Sequence, residues 1–174
     1  PYSKQYIDKK DIENVKKVLK SNFLTQGPNV KKFENIVKKK CNAKFATAVN
    51  SATSALHLSC IALNLKKGDY LWTSPNSFVA SANCGLYCGA KIDFVDISLD
   101  TYNIDVDILE EKLIYAKKKK VLPKIIVAVH MGGLSCEMKK INSLSKKYGF
   151  KIIEDASHCV GSKFRNKFVG SCKY

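Results

Sequence analysis

The run Ile125-Ile126-Val127-Ala128-Val129 narrows what this chain can become more than any other segment. Five apolar residues in succession, with no polar residue alternating between them, describe a strand covered on both faces. Such a strand needs helices above and below its sheet, and the flanking sequence supplies them. Strand-like segments at 45–49, 70–73, 92–95, 124–129 and 150–155 alternate with helical periods at 51–63, 76–88, 105–115 and 137–148. That order predicts βαβ units and a mainly parallel sheet in one layered α/β domain. Two amphipathic helices come first. Over 8–20, Ile12, Val15, Val18 and Leu19 form one stripe that Asp8 can cap; past 23–28, Val30, Phe33, Ile36 and Val37 form another, with Pro28 suited to the first turn. The end of the chain, 162–174, reads as short and polar, closing nothing.

Composition excludes several function classes. The hydrophobic fraction of 45% in 174 residues is enough for a substantial core and argues against disorder. No apolar run reaches the roughly 20 residues of a membrane span, and 1–6 has no apolar region of the kind that heads a signal peptide. A net charge of +15 invites a nucleic-acid reading. Yet nearly all of that charge is Lys, in runs at 16–17, 38–40, 117–120 and 146–147, and Arg165 is the sole Arg. The fork that reads bases and clamps phosphates is therefore almost absent, and no aromatics interleave with the lysines as a stacking platform. A solvated basic surface is the better account, with no nucleic-acid partner and no membrane. Seven Cys without a CxxC pair read as buried reduced thiols in a cytoplasmic protein, with no metal site.

In parallel α/β sheets ligands bind beyond the carboxyl ends of the strands. That leaves four places: 50–54, 74–78, 130–133 and 155–161. At the first, Thr53 and Ser54 open a helix among small residues, where free N–H groups and the helix dipole suit a phosphate; taken alone, ordinary capping is the better account of them. Neither GxGxxG nor a P-loop is present. At the second, Phe78 can stack on a planar ring or simply join the core. The last place is the sharpest: Glu154 and Asp155 end a buried strand, where an unpaired charge is costly. A protonated pyridine nitrogen is one cation that would satisfy such a carboxylate. His158 is close enough in sequence to support it; His130 has a weaker case, and His57, on an apolar helix, reads as structural.

Taken together, Leu24-Thr25-Gln26-Gly27-Pro28, the segment Asn50-Ser51-Ala52-Thr53-Ser54-Ala55-Leu56-His57-Leu58, the segment Thr73-Ser74-Pro75-Asn76-Ser77-Phe78-Val79-Ala80-Ser81-Ala82-Asn83 and Ile153-Glu154-Asp155-Ala156-Ser157-His158 resemble the pyridoxal-phosphate-dependent sugar aminotransferases of the DegT/DnrJ/EryC1/StrS family. The resemblance runs in order along essentially the whole chain. Ala82-Asn83-Cys84-x-Leu86-Tyr87-Cys88-Gly89 and Gly170-Ser171-Cys172-x-Tyr174 are most similar to its pseudaminic acid branch.

The resemblance implies a three-layer fold-type I transferase large domain, with 1–40 as N-terminal helices and 41–174 as the sheet core. It implies pyridoxal 5′-phosphate as cofactor and a homodimer. The implied reaction moves an amino group, from L-glutamate, to the C4 keto group of a UDP-linked 4-keto-6-deoxy-N-acetylhexosamine in surface-glycan sugar biosynthesis. By position, Thr53 and Ser54 would hold the cofactor phosphate, Phe78 would stack on its ring, Asp155 would pair with the ring nitrogen and His158 would support the site. The family's Schiff-base Lys is expected about ten residues past Tyr174, and the C-terminal small domain beyond it, so the chain reads as truncated and inactive alone. Lys163, Lys167 and Lys173 do not stand in that motif. A sugar dehydratase carrying His in place of that Lys, a non-catalytic relative and a basic nucleic-acid-binding protein remain as alternatives.

Overall fold

The strand Ile125–Val129 is buried at every residue, and the rest of the sheet forms around it. The computed structural model describes residues 4–171; Cys172, Lys173 and Tyr174 lie outside the described residues. In chain order the elements are α1 (Lys9–Leu19), α2 (Pro28–Lys40), α3 (Ala52–Ala62), β1 (Tyr70–Thr73), α4 (Ala80–Tyr87), β2 (Lys91–Phe94), α5 (Val106–Lys119), β3 (Ile125–Val129), α6 (Met138–Tyr148), β4 (Lys151–Asp155), β5 (Lys163–Phe164) and β6 (Lys167–Phe168). A four-stranded sheet has the order β2-β1-β3-β4, and every pair in it is parallel.

The two-residue period of a strand sends alternate side chains to opposite layers. Leu71, Ile125, Val127, Val129 and Ile153 pack under α3 and α4 with Leu56, Cys60 and Cys84. Trp72, Ile126 and Ala128 face the other way, into Leu109, Leu113, Met138, Ile141 and Phe150 of the α5–α6 side. Gly85 is where α4 comes down on the sheet: a Cβ there would stand 2.6 Å from Ile92 Cδ1 and 3.2 Å from Leu71 Cβ. Lys124 anchors the entry to β3, with Nζ 2.7 Å from Asp69 and 2.6 Å from the Asn64 carbonyl.

Three sequence expectations are corrected. Residues 45–49 form no strand. Phe45 is 86% exposed, and the Ala48 N–H donates to Glu34 of α2 (3.1 Å) rather than to a neighbouring strand. The helix expected from 76 begins at Ala80, because Ser77 N–H turns back to the Pro75 carbonyl and holds 75–79 outside the helix. The tail does close something. β5 and β6 pair antiparallel across Arg165 and Asn166, whose φ values of 46° and 64° are those of a two-residue hairpin turn, and Val169 behind them is buried.

Helices α1 and α2 bury no residue. Asp8 caps α1 in a reciprocal box with Asp11, but Ile12, Val15, Leu19, Phe33 and Ile36 all remain exposed. Among the described residues, no helix is long and apolar enough to cross a membrane.

Leu113, fully buried beneath the sheet, tests the α5–α6 layer. Leu113→Ala is expected to destabilise the fold by about 2–5 kcal/mol, read as a lower denaturation midpoint in urea.

Candidate active site

The strand order creates the site. From β1 the chain steps outward to β2, then crosses back to place β3 on the other side of β1. A crevice opens at the carboxyl ends where successive connections diverge. A cavity of about 310 Å3 lies there, and its walls include Thr53, Ser77, Phe78, His130, Asp155 and His158. All four segments singled out by the strand-end argument therefore contribute to one cavity.

Strand parity decides which of the two acids faces it. Asp155 follows Ile153 by two residues and shares its face, toward α3 and α4; Glu154 points the other way. Asp155 is 9% exposed. Its Oδ2 accepts from the Ser81 hydroxyl (2.8 Å), and its Oδ1 from the Ser157 hydroxyl (2.6 Å) and N–H (3.3 Å). Both oxygens are thus held by neutral donors, and no cation pairs with this carboxylate among the described residues.

Glu154 has a different partner. Its Oε2 lies 3.0 Å from His130 Nε2, with both side chains nearly buried. The other ring nitrogen, Nδ1, accepts from the Cys136 N–H (3.1 Å). An accepting Nδ1 carries no proton, so Nε2–H donates to Glu154 and the ring is the neutral Nε2 tautomer. The backbone ties the same strands: His130 N–H donates to the Asp155 carbonyl (3.1 Å). His130 therefore does more structurally than its sequence position suggested.

The first turn of α3 presents open backbone donors. Ser51 caps it by accepting from the Ser54 N–H, which leaves the N–H groups of Ala52 and Thr53 without a helical acceptor. Thr53 lines the cavity, whereas Ser54 does not; the Ser54 hydroxyl donates to Asn50 Oδ1 at 2.7 Å. Phe78 stands at the rim, 74% exposed. The backbone of His158 passes close to Gly133, where φ is +88° and a Cβ would come within 2.9 Å of the His158 carbonyl; only glycine accepts that conformation and that approach. His57 lies outside the cavity, edge-on to Tyr87.

Cys136 is a poor nucleophile candidate. Six free Cys are described. Burial first, then the charge of Glu154, pushes the Cys136 thiol up to about 12, far from the thiolate that reactivity requires.

Ser81 and Ser157, the donors that hold Asp155, were not singled out from the sequence. The one available signal was the Ser77–Ser81 spacing of four at a helix start, which resembles ordinary capping. The Glu154–His130 contact is checked by comparing two variants. Glu154→Ala leaves Nε2–H buried without an acceptor and is expected to lose about 1–3 kcal/mol. Glu154→Gln keeps an amide oxygen there and is expected to lose much less in the same denaturant titration.

Comparison with known proteins places this geometry. The DegT/DnrJ/EryC1/StrS aminotransferase family profile matches residues 5–173. The UDP-4-amino-4,6-dideoxy-N-acetyl-beta-L-altrosamine transaminase of Campylobacter jejuni strain 81-176 is 44% identical over 98% of this chain and 44% of its own length. Spore coat polysaccharide biosynthesis protein SpsC of Bacillus subtilis is 37% identical over 98% of this chain and 42% of its own. Among solved structures, Helicobacter pylori PseC, an aminotransferase involved in pseudoaminic acid biosynthesis, superimposes with a TM-score of 0.85 at 35% identity, covering 97% of this chain and 44% of that one. A Streptococcus pneumoniae sugar aminotransferase described in its PLP form gives a TM-score of 0.84 at 26% identity, covering 95% and 45%. The chain spans less than half the length of these relatives. Its parallel sheet between two helical layers is that of a fold-type I transferase large domain, whose cofactor in this family is pyridoxal 5′-phosphate. The chain belongs to the DegT/DnrJ/EryC1/StrS aminotransferase family.

Proposed function

We propose that this chain forms the cofactor-binding part of a sugar aminotransferase that transfers an amino group from L-glutamate to the C4 keto group of a UDP-linked 4-keto-6-deoxy-N-acetylhexosamine. The observation that carries the reading is Asp155: a buried carboxylate with hydroxyl donors and no counter-ion, in the wall of a cavity that also takes in the α3 N-terminus. A buried negative charge without a cation is unfavourable, and the protonated ring nitrogen of pyridoxal phosphate is the cation that completes it. The choice of sugar is supported by the name of the C. jejuni relative and by the PseC structure.

In this reading Thr53 and the first-turn N–H groups of α3 bind the phosphate, where the helix dipole adds to their attraction. Ser54 joins them if its hydroxyl turns from Asn50. Phe78 covers one face of the ring, Asp155 keeps the proton on the ring nitrogen, and His158 supports the same end. Bound there, pyridoxal phosphate supplies a carbonyl that carries the amino group and an electron sink that a protonated ring strengthens. The Schiff-base lysine and the small domain are assigned to the remainder of the family's length. Exposed apolar stripes on α1 and α2 support a homodimer, in which a second copy covers them.

The complete gene product is expected to take up pyridoxal phosphate with a visible absorbance band that L-glutamate converts to the amine form. A band unmoved by glutamate points to another donor or to dehydratase chemistry; no band means that the cofactor reading is wrong. Asp155→Ala is expected to lower turnover about 100-fold or more, the scale on which removing one preorganised charge-stabilising group acts; activity near wild type would falsify its role.

A further inference from the structure

Asp155 does not stand alone on the α4 side. Ser81 is 1% exposed and its hydroxyl gives its single proton to Asp155 Oδ2 at 2.8 Å. The Ser77 hydroxyl lies 3.0 Å from Ser81 Oγ. Because the Ser81 proton is already committed to the carboxylate, Ser77 is the donor in that contact. The three groups form a directed chain, Ser77 to Ser81 to Asp155, that runs from the cavity wall into the interior and ends on the negative charge. Each donor in such a chain polarises the next, and hydrogen bonds to a carboxylate favour its ionised form.

We propose that Ser81 is a positioning residue for cofactor protonation: with Ser77 behind it, it keeps the Asp155 carboxylate ionised and aimed at the cavity, and so holds the proton on the pyridine nitrogen. The proposal rests on the reading of Asp155 as partner of the ring nitrogen. Ser81 lies in the first turn of α4 and touches the cofactor site only through Asp155, so its effect is on the charge state and affinity of the ring.

The test uses pyridoxamine 5′-phosphate, which binds without a lysine bond, titrated calorimetrically into the complete gene product, together with the 15N signal of its labelled ring nitrogen across pH. Ser81→Ala is expected to weaken binding about tenfold, the scale of one hydrogen bond to a charged group, and to release the ring proton at lower pH than in the wild type. Ser81→Cys keeps the side-chain shape with a much weaker donor and is expected to match Ser81→Ala; Ser81→Thr keeps the hydroxyl and is expected to retain both readouts. If Ser81→Cys binds and protonates the ring like the wild type while Asp155→Asn loses both, the Ser81 proposal fails and the cofactor reading stands. If Asp155→Asn also changes neither, the cofactor reading fails and takes this proposal with it.

Discussion

A carboxylate at the end of a buried strand is the constraint on which the rest of this structure turns. Ionised, Asp155 is too costly to leave without donors in a low-dielectric interior, and three elements converge on this residue, two of them on its carboxylate. The α4 start brings Ser81, the turn after β4 brings Ser157, and the β3 end ties to the Asp155 backbone through His130. What those neighbours do not bring is a positive charge. Full hydrogen bonding without a counter-charge sets Asp155 apart from Glu154 one residue earlier, whose carboxylate accepts from the neutral His130 ring.

The sheet makes that convergence possible. With β3 and β1 central and the connections diverging on either side, the loops after β1, β3 and β4 meet above the same strand ends. The 75–79 turn, which delays α4 by several residues, sets Ser77 and Phe78 at the cavity while Ser81 remains buried beneath it. Gly133 performs a similar service on the opposite side, where only a residue without Cβ lets the 131–133 turn pass the His158 carbonyl. These are local departures from regular structure, and each one borders the cavity.

Much of this was legible in residue order. The unbroken apolar run of β3, the strand-helix alternation and the location of candidate groups at strand ends follow from periodicity and from where parallel sheets bind ligands. The failures have specific causes. The 45–49 segment has strand-like residues but pairs with no strand among the described residues, and pairing is a property of the sheet rather than of the segment. The Arg165-Asn166 turn lacks the glycine that usually marks a hairpin, so its two short strands looked like a polar tail. Ser81 and Ser157 escaped notice because a serine near a helix start or turn is commonplace until the acid it serves is placed beside it.

Sequence alone determined the layered α/β class, the central buried strand and the two amphipathic helices at the start, because these depend on spacing along the chain, and its ordered motifs carried the resemblance to the family to which the chain belongs. Only the tertiary structure decided which of two adjacent acids enters the cavity, that His130 is neutral and bound to the other, and that two linked serine hydroxyls end on the acid that lines the cavity. The physical reason is that strand parity is set by register, and hydrogen-bond partnership by contacts 24 to 74 residues apart. Neither leaves a local mark in the order of residues.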